Sequence, residues 1–253
     1  MITIVMTYFD RQFQLNRTLD SFLQYKPEDF RIIIVDDGSP EDIKLKNYPF
    51  DITILKLKDK KWMNPEPVYN TGFKYALIKE PDIIINQNAE CYHASDILSY
   101  AKNVSDETYI SFGCYSIDYG NTFSNHDINK IIASNNSGIV ANCTNGWYNH
   151  PIHRPKGFEF CSAITANNIR KLNGYDERLS LGLWYGDDYL LARIKMLGLK
   201  VEITSDPFVV HQWHQNTQAV PNAAELIEKN RLLYLELLSR NEYRAQHLFT
   251  LDL

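Results

Sequence analysis

Residues 31–39 read Arg31-Ile-Ile-Ile-Val-Asp36-Asp37-Gly38-Ser39. Four apolar, mostly β-branched residues stop abruptly at two carboxylates, a glycine and a serine. A short unbroken apolar run of this kind predicts a strand buried on both faces. The Asp-Asp-Gly-Ser sequence that ends it predicts a turn at the strand's carboxyl end. In open α/β sheets that end is where ligands bind. Two adjacent carboxylates there suit a nucleobase N–H, a ribose hydroxyl or a metal.

The flanking chain repeats the pattern. Apolar strands are expected at 2–6, 52–57 and 82–85. Helices are expected at 14–25, with Leu15, Leu19, Phe22 and Leu23 at helical spacing, and at 67–79. Short links between alternating strands and helices imply a mostly parallel sheet covered by helices, an α/β domain. Further along, strands are expected at 109–117, 157–165, 201–203 and 208–210, a helix at 188–197 closed by Gly198, and an amphipathic helix at 223–239. Residues 118–156 are rich in Asn, Ser, Gly and His with little period, which predicts a long functional loop.

Bulk properties narrow the class. The 253 residues are 44% hydrophobic and 23% charged, with a net charge of −5. That charge argues against a general nucleic-acid binder, which would be basic. The four cysteines, Cys91, Cys114, Cys143 and Cys161, contain no C-x-x-C pair and read as reduced, buried residues of a cytoplasmic protein. No basic leader and no apolar run of 18 residues is seen, so neither a signal peptide nor a membrane span is expected, although peripheral membrane association is compatible. The sequons at Asn103 and Asn142 mean little without secretion.

Polar clusters follow the apolar runs: Asp36-Asp37, Asn86-Gln87-Asn88-Ala89-Glu90, Trp184-Tyr185-Gly186-Asp187-Asp188 and His211-Gln212-Trp213-His214. Taken in order, these resemble an inverting glycosyltransferase of family 2 with the GT-A fold over roughly residues 1–215. Thr7-Tyr8-Phe9-Asp10-Arg11 is similar to that family's Thr-Tyr-Asn-Arg, and Val35-Asp36-Asp37-Gly38-Ser39 to its Val-Asp-Asp-Gly-Ser. Asn70-Thr71-Gly72 resembles its Arg-Asn-x-Gly helix. Leu172 to Glu177 resembles its Gly-Gly-Phe-Asp-Glu. Gly186-Asp187-Asp188-Tyr189-Leu190, with Arg193, resembles its Glu-Asp-x-Asp-Leu-x-x-Arg helix. The later part is also similar to galactosyltransferase C-terminal regions.

The resemblance implies a Rossmann-like GT-A domain over 1–215, with a nucleotide-sugar half at about 1–105, an acceptor half at about 106–215, and a helical extension at 216–253. It implies a nucleotide-diphosphate-sugar donor, a UDP-sugar favoured, held by Thr7, Tyr8, Arg11, Asp36, Asp37, Asn70, Asn86 and Asn88. It implies a glycan or other hydroxyl acceptor near Trp184, Tyr185 and Asp187. Asp188, at a helix start, is the first candidate for the general base an inverting transfer needs, with Asp187 orienting the acceptor. The family's Asp-x-Asp metal motif is replaced here by Asn86 and Asn88. Asn88, Glu90 and His211 are therefore the candidate ligands for Mn²⁺ or Mg²⁺. The Asn substitutions motivate an alternative, a non-catalytic saccharide- or nucleotide-binding module. The final helix is a candidate homodimer surface.

Overall fold

The chain is described by a computed structural model over residues 1–140, 144–215 and 220–253. The sequon Asn142, Cys143 and the expected boundary at 215/216 fall on or against residues outside that description. Cys91, Cys114 and Cys161 are free and buried.

The opening run folds as β2 (Phe30–Asp36), after β1 (Ile2–Tyr8) and the first helix, α1 (Gln12–Ser21). Next come β3 (Asp51–Lys56), α2 (Glu66–Ile78), β4 (Ile83–Asn88) and β5 (Cys91–His93). Strands β3, β2, β1 and β4 lie side by side and parallel, with Val35 opposite Thr7 and Leu55. The unbroken apolar run of β2 has a direct cause. Ile32 and Ile34 enter a core with Leu15, Leu19 and Phe22 of the α1 side, while Ile33 and Val35 enter a second core with Val68, Phe73 and Ala76 of α2. With helices on both faces, no position from Ile32 to Val35 is left for a polar residue.

The second half adds α3 (Ile97–Ala101), β6 (Thr108–Ser116), α4 (Tyr119–Thr122), α5 (Ile128–Ser134), β7 (Gly146–Asn149), β8 (Cys161–Thr165), α6 (Ala166–Leu172), α7 (Gly186–Met196), β9 (Lys200–His211) and α8 (Ala223–Ser239). Strand order in the sheet is β3-β2-β1-β4-β8-β6-β9-β5, with β7 on β6. The architecture is the expected mixed α/β domain: a curled sheet, its parallel pairs carrying most of the register, flanked by helices.

Two expectations need correction. The described residues of 118–156 carry regular elements rather than forming one long functional loop or lid. Asp118 and Asp127 cap α4 and α5 by accepting from backbone N–H groups, and β7 pairs with β6. The polar residues there are caps and turn formers for short elements. The two short strands expected at 201–203 and 208–210 are one strand, β9. The polar break between them sits at a register shift against β6, where Thr204 Oγ1 accepts from Gly113 N at 3.1 Å and donates to Pro207 O at 2.6 Å.

Candidate active site

Because β1, β2 and β4 run parallel, their carboxyl ends open on the same edge. There a cavity of about 410 Å³ is lined by Thr7, Tyr8, Asp37, Asn88, Glu90 and His211 from strand ends, with Lys60, Trp62 and Pro65 from the segment leading into α2. Arg11, Tyr69 and His214 complete its polar wall.

At the β2 end, Asp37 Oδ1 accepts from Trp62 Nε1 at 2.8 Å and Oδ2 from Lys60 Nζ at 2.5 Å. Burial is the largest influence on Asp37 and raises its pKa, against lowering by Lys60 and Trp62. Asp36 lies behind it. Its Oδ1 accepts from Ser39 N and Oγ, and its buried Oδ2 has no hydrogen-bond partner.

At the end of β4, buried Glu90 pairs with Arg11 Nη1 at 2.7 Å. Its Oε1 lies 3.4 Å from Nε2 of both His211 and His214. Burial alone would raise the pKa of Glu90; Arg11, then the two histidines, hold it well below the usual carboxylate range. Burial brings His214 down to about 4, so that ring is neutral at physiological pH and Arg11 supplies the opposing charge. One carboxylate oxygen and two imidazole nitrogens within 4.8 Å of one another form a group that could hold a metal ion. The donor set fits a divalent cation of intermediate softness.

The remaining expected residues divide. Thr7, Tyr8, Arg11, Asp37, Asn88, Glu90 and His211 meet at the cavity. Asn88 Oδ1 accepts from Tyr69 Oη at 3.2 Å. Asn70 lies behind the wall, fully buried, and bonds Tyr175 and Glu177. Asn86 is also buried, its amide donating to Tyr175 Oη at 2.8 Å. Neither lines the cavity.

Asp187 and Asp188 occupy the first turn of α7, where the helix dipole favours negative charge. They face different neighbours. Asp187 sits by the buried acids Glu159 and Glu66. Burial first, then the charge of Asp187 and a shared side-chain hydrogen bond, raise Glu159 well above the ordinary range. Glu66 is raised likewise, by burial first and Asp187 after. Gly186 stands where the resembled motif has Glu, and a Cβ there would lie 2.2 Å from Glu66 Oε1. A carboxyl from α2 thus occupies the space. Asp188, raised by burial and then by Asp187, has Lys156 and Arg154 as its lowering neighbours.

Just before α7, Trp184 and Tyr185 are both left-handed, each with φ of 64°. Outside glycine such residues cost of order 1–3 kcal/mol each and persist only where surroundings enforce them. Trp184 is 58% exposed.

Sequence reasoning missed Lys60, Trp62, His214 as a third metal-facing group, Glu66 and Glu159. His214 had a legible signal, its place three residues after His211. Lys60 and Trp62 lie in a segment without period, and Glu66 and Glu159 become site residues only through Asp187 of another element.

The family model of glycosyl transferase family 2 matches residues 3–163, and the chain belongs to that family of sugar transferases. Solved structures resemble it in fold. S. aureus TarS 1–349 in complex with UDP has a TM-score of 0.63 at 10% identity, over 98% of this chain and 67% of that one. The catalytic domain of Drosophila β1,4-galactosyltransferase 7 with xylobiose has 0.55 at 15%, over 90% and 79%. The Pyrobaculum calidifontis mannosyltransferase PcManGT with GDP-Man and Mn²⁺ has 0.54 at 12%, over 97% and 65%. The chain spans about two thirds of TarS 1–349 and 40% of the longer TarS structure. No curated protein matches it in sequence.

Proposed function

We propose that the chain transfers a sugar, with inversion, from a nucleoside-diphosphate sugar, a UDP-sugar favoured, to a hydroxyl of a glycan acceptor. One observation carries this reading. Asp37 with its Lys60–Trp62 wall and the Glu90–His211–His214 group line one cavity at the carboxyl edge of three parallel strands. The hydrogen-bond acceptors and aromatic faces around Asp37 suit a base and ribose. Arg11 and the Glu-His-His group suit a diphosphate. Mn²⁺ held by Glu90, His211 and His214, with Asn88 beside them, would supply electrostatic stabilisation of the departing diphosphate. UDP or Mn²⁺ in the complexes of structurally similar transferases supports the choice.

For the acceptor proton, the side-chain neighbours favour Asp187 over Asp188. Asp187, although exposed like Asp188, sits beside the buried acids Glu159 and Glu66, whereas Asp188 has Lys156, Arg154 and Tyr234 as neighbours. Glu159, whose pKa burial and then Asp187 raise, shares a side-chain hydrogen bond with Asp187 that fixes its orientation. Losing a general base costs ~10²–10⁴-fold in rate. Asp187→Asn is expected to lose transfer in that range while UDP affinity stays within threefold. Asp188→Asn retains at least a third of wild-type turnover. The reverse ranking would return the base to Asp188.

The second reading, a non-catalytic nucleotide- or saccharide-binding module, is favoured by Asn86, whose amide is engaged by Tyr175 away from the cavity. UDP binding without release of UDP from any UDP-sugar, with or without added acceptors, would select it.

A further inference from the structure

The segment from Leu179 to Trp184 is gripped from both sides by two asparagines distant in sequence. Asn64, just before α2, directs Nδ2 to Trp184 O at 2.9 Å and to Leu179 O at 3.4 Å, and accepts from Trp184 N at 3.2 Å. Asn230, midway along α8, directs Nδ2 to the same two carbonyls, Leu179 O at 2.8 Å and Trp184 O at 3.0 Å. Two amides therefore clasp one pair of oxygens.

Asn230 is fully buried. It sits in the apolar stripe of α8, between Leu226 and Leu233, where a leucine would satisfy packing. A buried amide at such a place is costly unless its bonds are used. The clasp also has room made for it: a Cβ on Gly182 would lie 2.2 Å from Asn230 Oδ1. What it holds is the pair of left-handed residues Trp184 and Tyr185, which lead directly into α7 and Asp187.

We propose that Asn64 and Asn230 are positioning residues for acceptor recognition. By clasping the Leu179 and Trp184 carbonyls they enforce the left-handed turn and so fix the exposed Trp184 ring relative to Asp187. The Trp184 ring offers a flat apolar face of the kind that packs on the C–H surface of a pyranose. Asn64 belongs to the same short segment as Lys60 and Trp62, so the turn is referenced to the nucleotide wall as well as to α8. This rests on the acceptor reading given above.

The test uses Asn230→Leu, which removes both donors while preserving the apolar stripe, and Gly182→Ala, whose methyl crowds the Asn230 amide and the Leu226 carbonyl of α8. Hydrogen exchange reads the clasp independently of activity. Amides of residues 183–187 should exchange at least tenfold faster in both variants, with the β1–β2–β4 sheet unchanged. UDP affinity by calorimetry should stay within threefold. With UDP-sugar donors and p-nitrophenyl pyranosides as acceptor probes, acceptor KM should rise at least tenfold and more than kcat falls. Unchanged exchange at 183–187 in both variants would overturn the clasp. Loosened exchange with unchanged acceptor KM would overturn its role in recognition. A wild-type protein that transfers sugar to none of the probes would count against the acceptor role, while the exchange result would still judge the clasp.

Discussion

Asp37 is the residue on which the nucleotide reading turns. Its two oxygens already accept from Trp62 and Lys60, so a bound base or ribose would join a formed network. Hydrogen bonds to charged groups contribute about 1.5–3 kcal/mol. Asp37→Ala is therefore expected to weaken UDP binding by ~10–100-fold in calorimetry, and an unchanged affinity would move the nucleotide elsewhere. Glu159 makes a prediction about stability and pH. Its folded pKa is raised, first by burial and then by Asp187, so the folded protein keeps a proton that the unfolded chain loses. Its contribution is fully present below the ordinary glutamate range and is lost as pH rises toward the folded value. Glu159→Gln keeps the acceptor for Tyr175 and removes that penalty. Its melting temperature should exceed wild type at pH 7.5, with ~2–4 °C for each kcal/mol gained in a domain of this size. The difference should vanish near pH 4. An equal difference at both pH values would contradict the assignment of Glu159 as a protonated acid.

Among the elements, α2 joins the two halves of the site. It packs on β1 and β2 through Gly72, where a Cβ would come within 2.4 Å of Val5 Cγ1 and 3.0 Å of Val35 Cγ2. Val35 directly precedes the Asp36–Asp37 pair. Gly72→Ala is expected to cost about 1–3 kcal/mol by overpacking and to loosen UDP binding through β2. Chemical denaturation would check the first effect, and wild-type stability would contradict the close packing. The elements legible in the sequence share one property: their pattern is set by burial, on both faces for the strands and along one stripe for the helices. That is why β1, β2, β4, α1 and α2 were readable from apolar spacing, and why the carboxylate turn after β2 was readable from where that spacing stopped. The residues not legible have partners that no spacing encodes. Trp62 and Lys60 lie in a segment without period and become site residues only through Asp37. Glu66 and Glu159 are buried acids whose company, Asp187, comes from a different element. Asn70 and Asn86 match family positions, yet the fold directs both to Tyr175. The polar stretch 118–156 looked structureless because short capped helices carry too few turns to show a period.

For the whole molecule, the proposed nucleotide and metal groups come together from three strand ends and the approach to α1. Glu90 and Asn88 come from the end of β4 and beyond it, His211 from the end of β9, Arg11 from the approach to α1, and Asp37 from β2. Among the described residues no helix is long and apolar enough to cross a membrane. Arg11 and a cation compete for Glu90, since the guanidinium already lies 2.7 Å from its Oε2. A bound diphosphate would resolve that competition by drawing Arg11 to itself, which would make nucleotide and metal mutually dependent. By linkage, each must raise the other's affinity by the same factor. Glu90→Gln should abolish this coupling while leaving metal-free UDP affinity equal or slightly tighter, because Arg11 is released. The measurement that tests the account most directly is calorimetric titration of UDP into the protein with Mn²⁺ and with a chelator, repeated in Glu90→Gln. The account predicts at least tenfold tighter UDP binding with Mn²⁺ in the wild type and no such difference in the variant. UDP binding that is absent, or of equal strength with and without Mn²⁺ in the wild type, would contradict it.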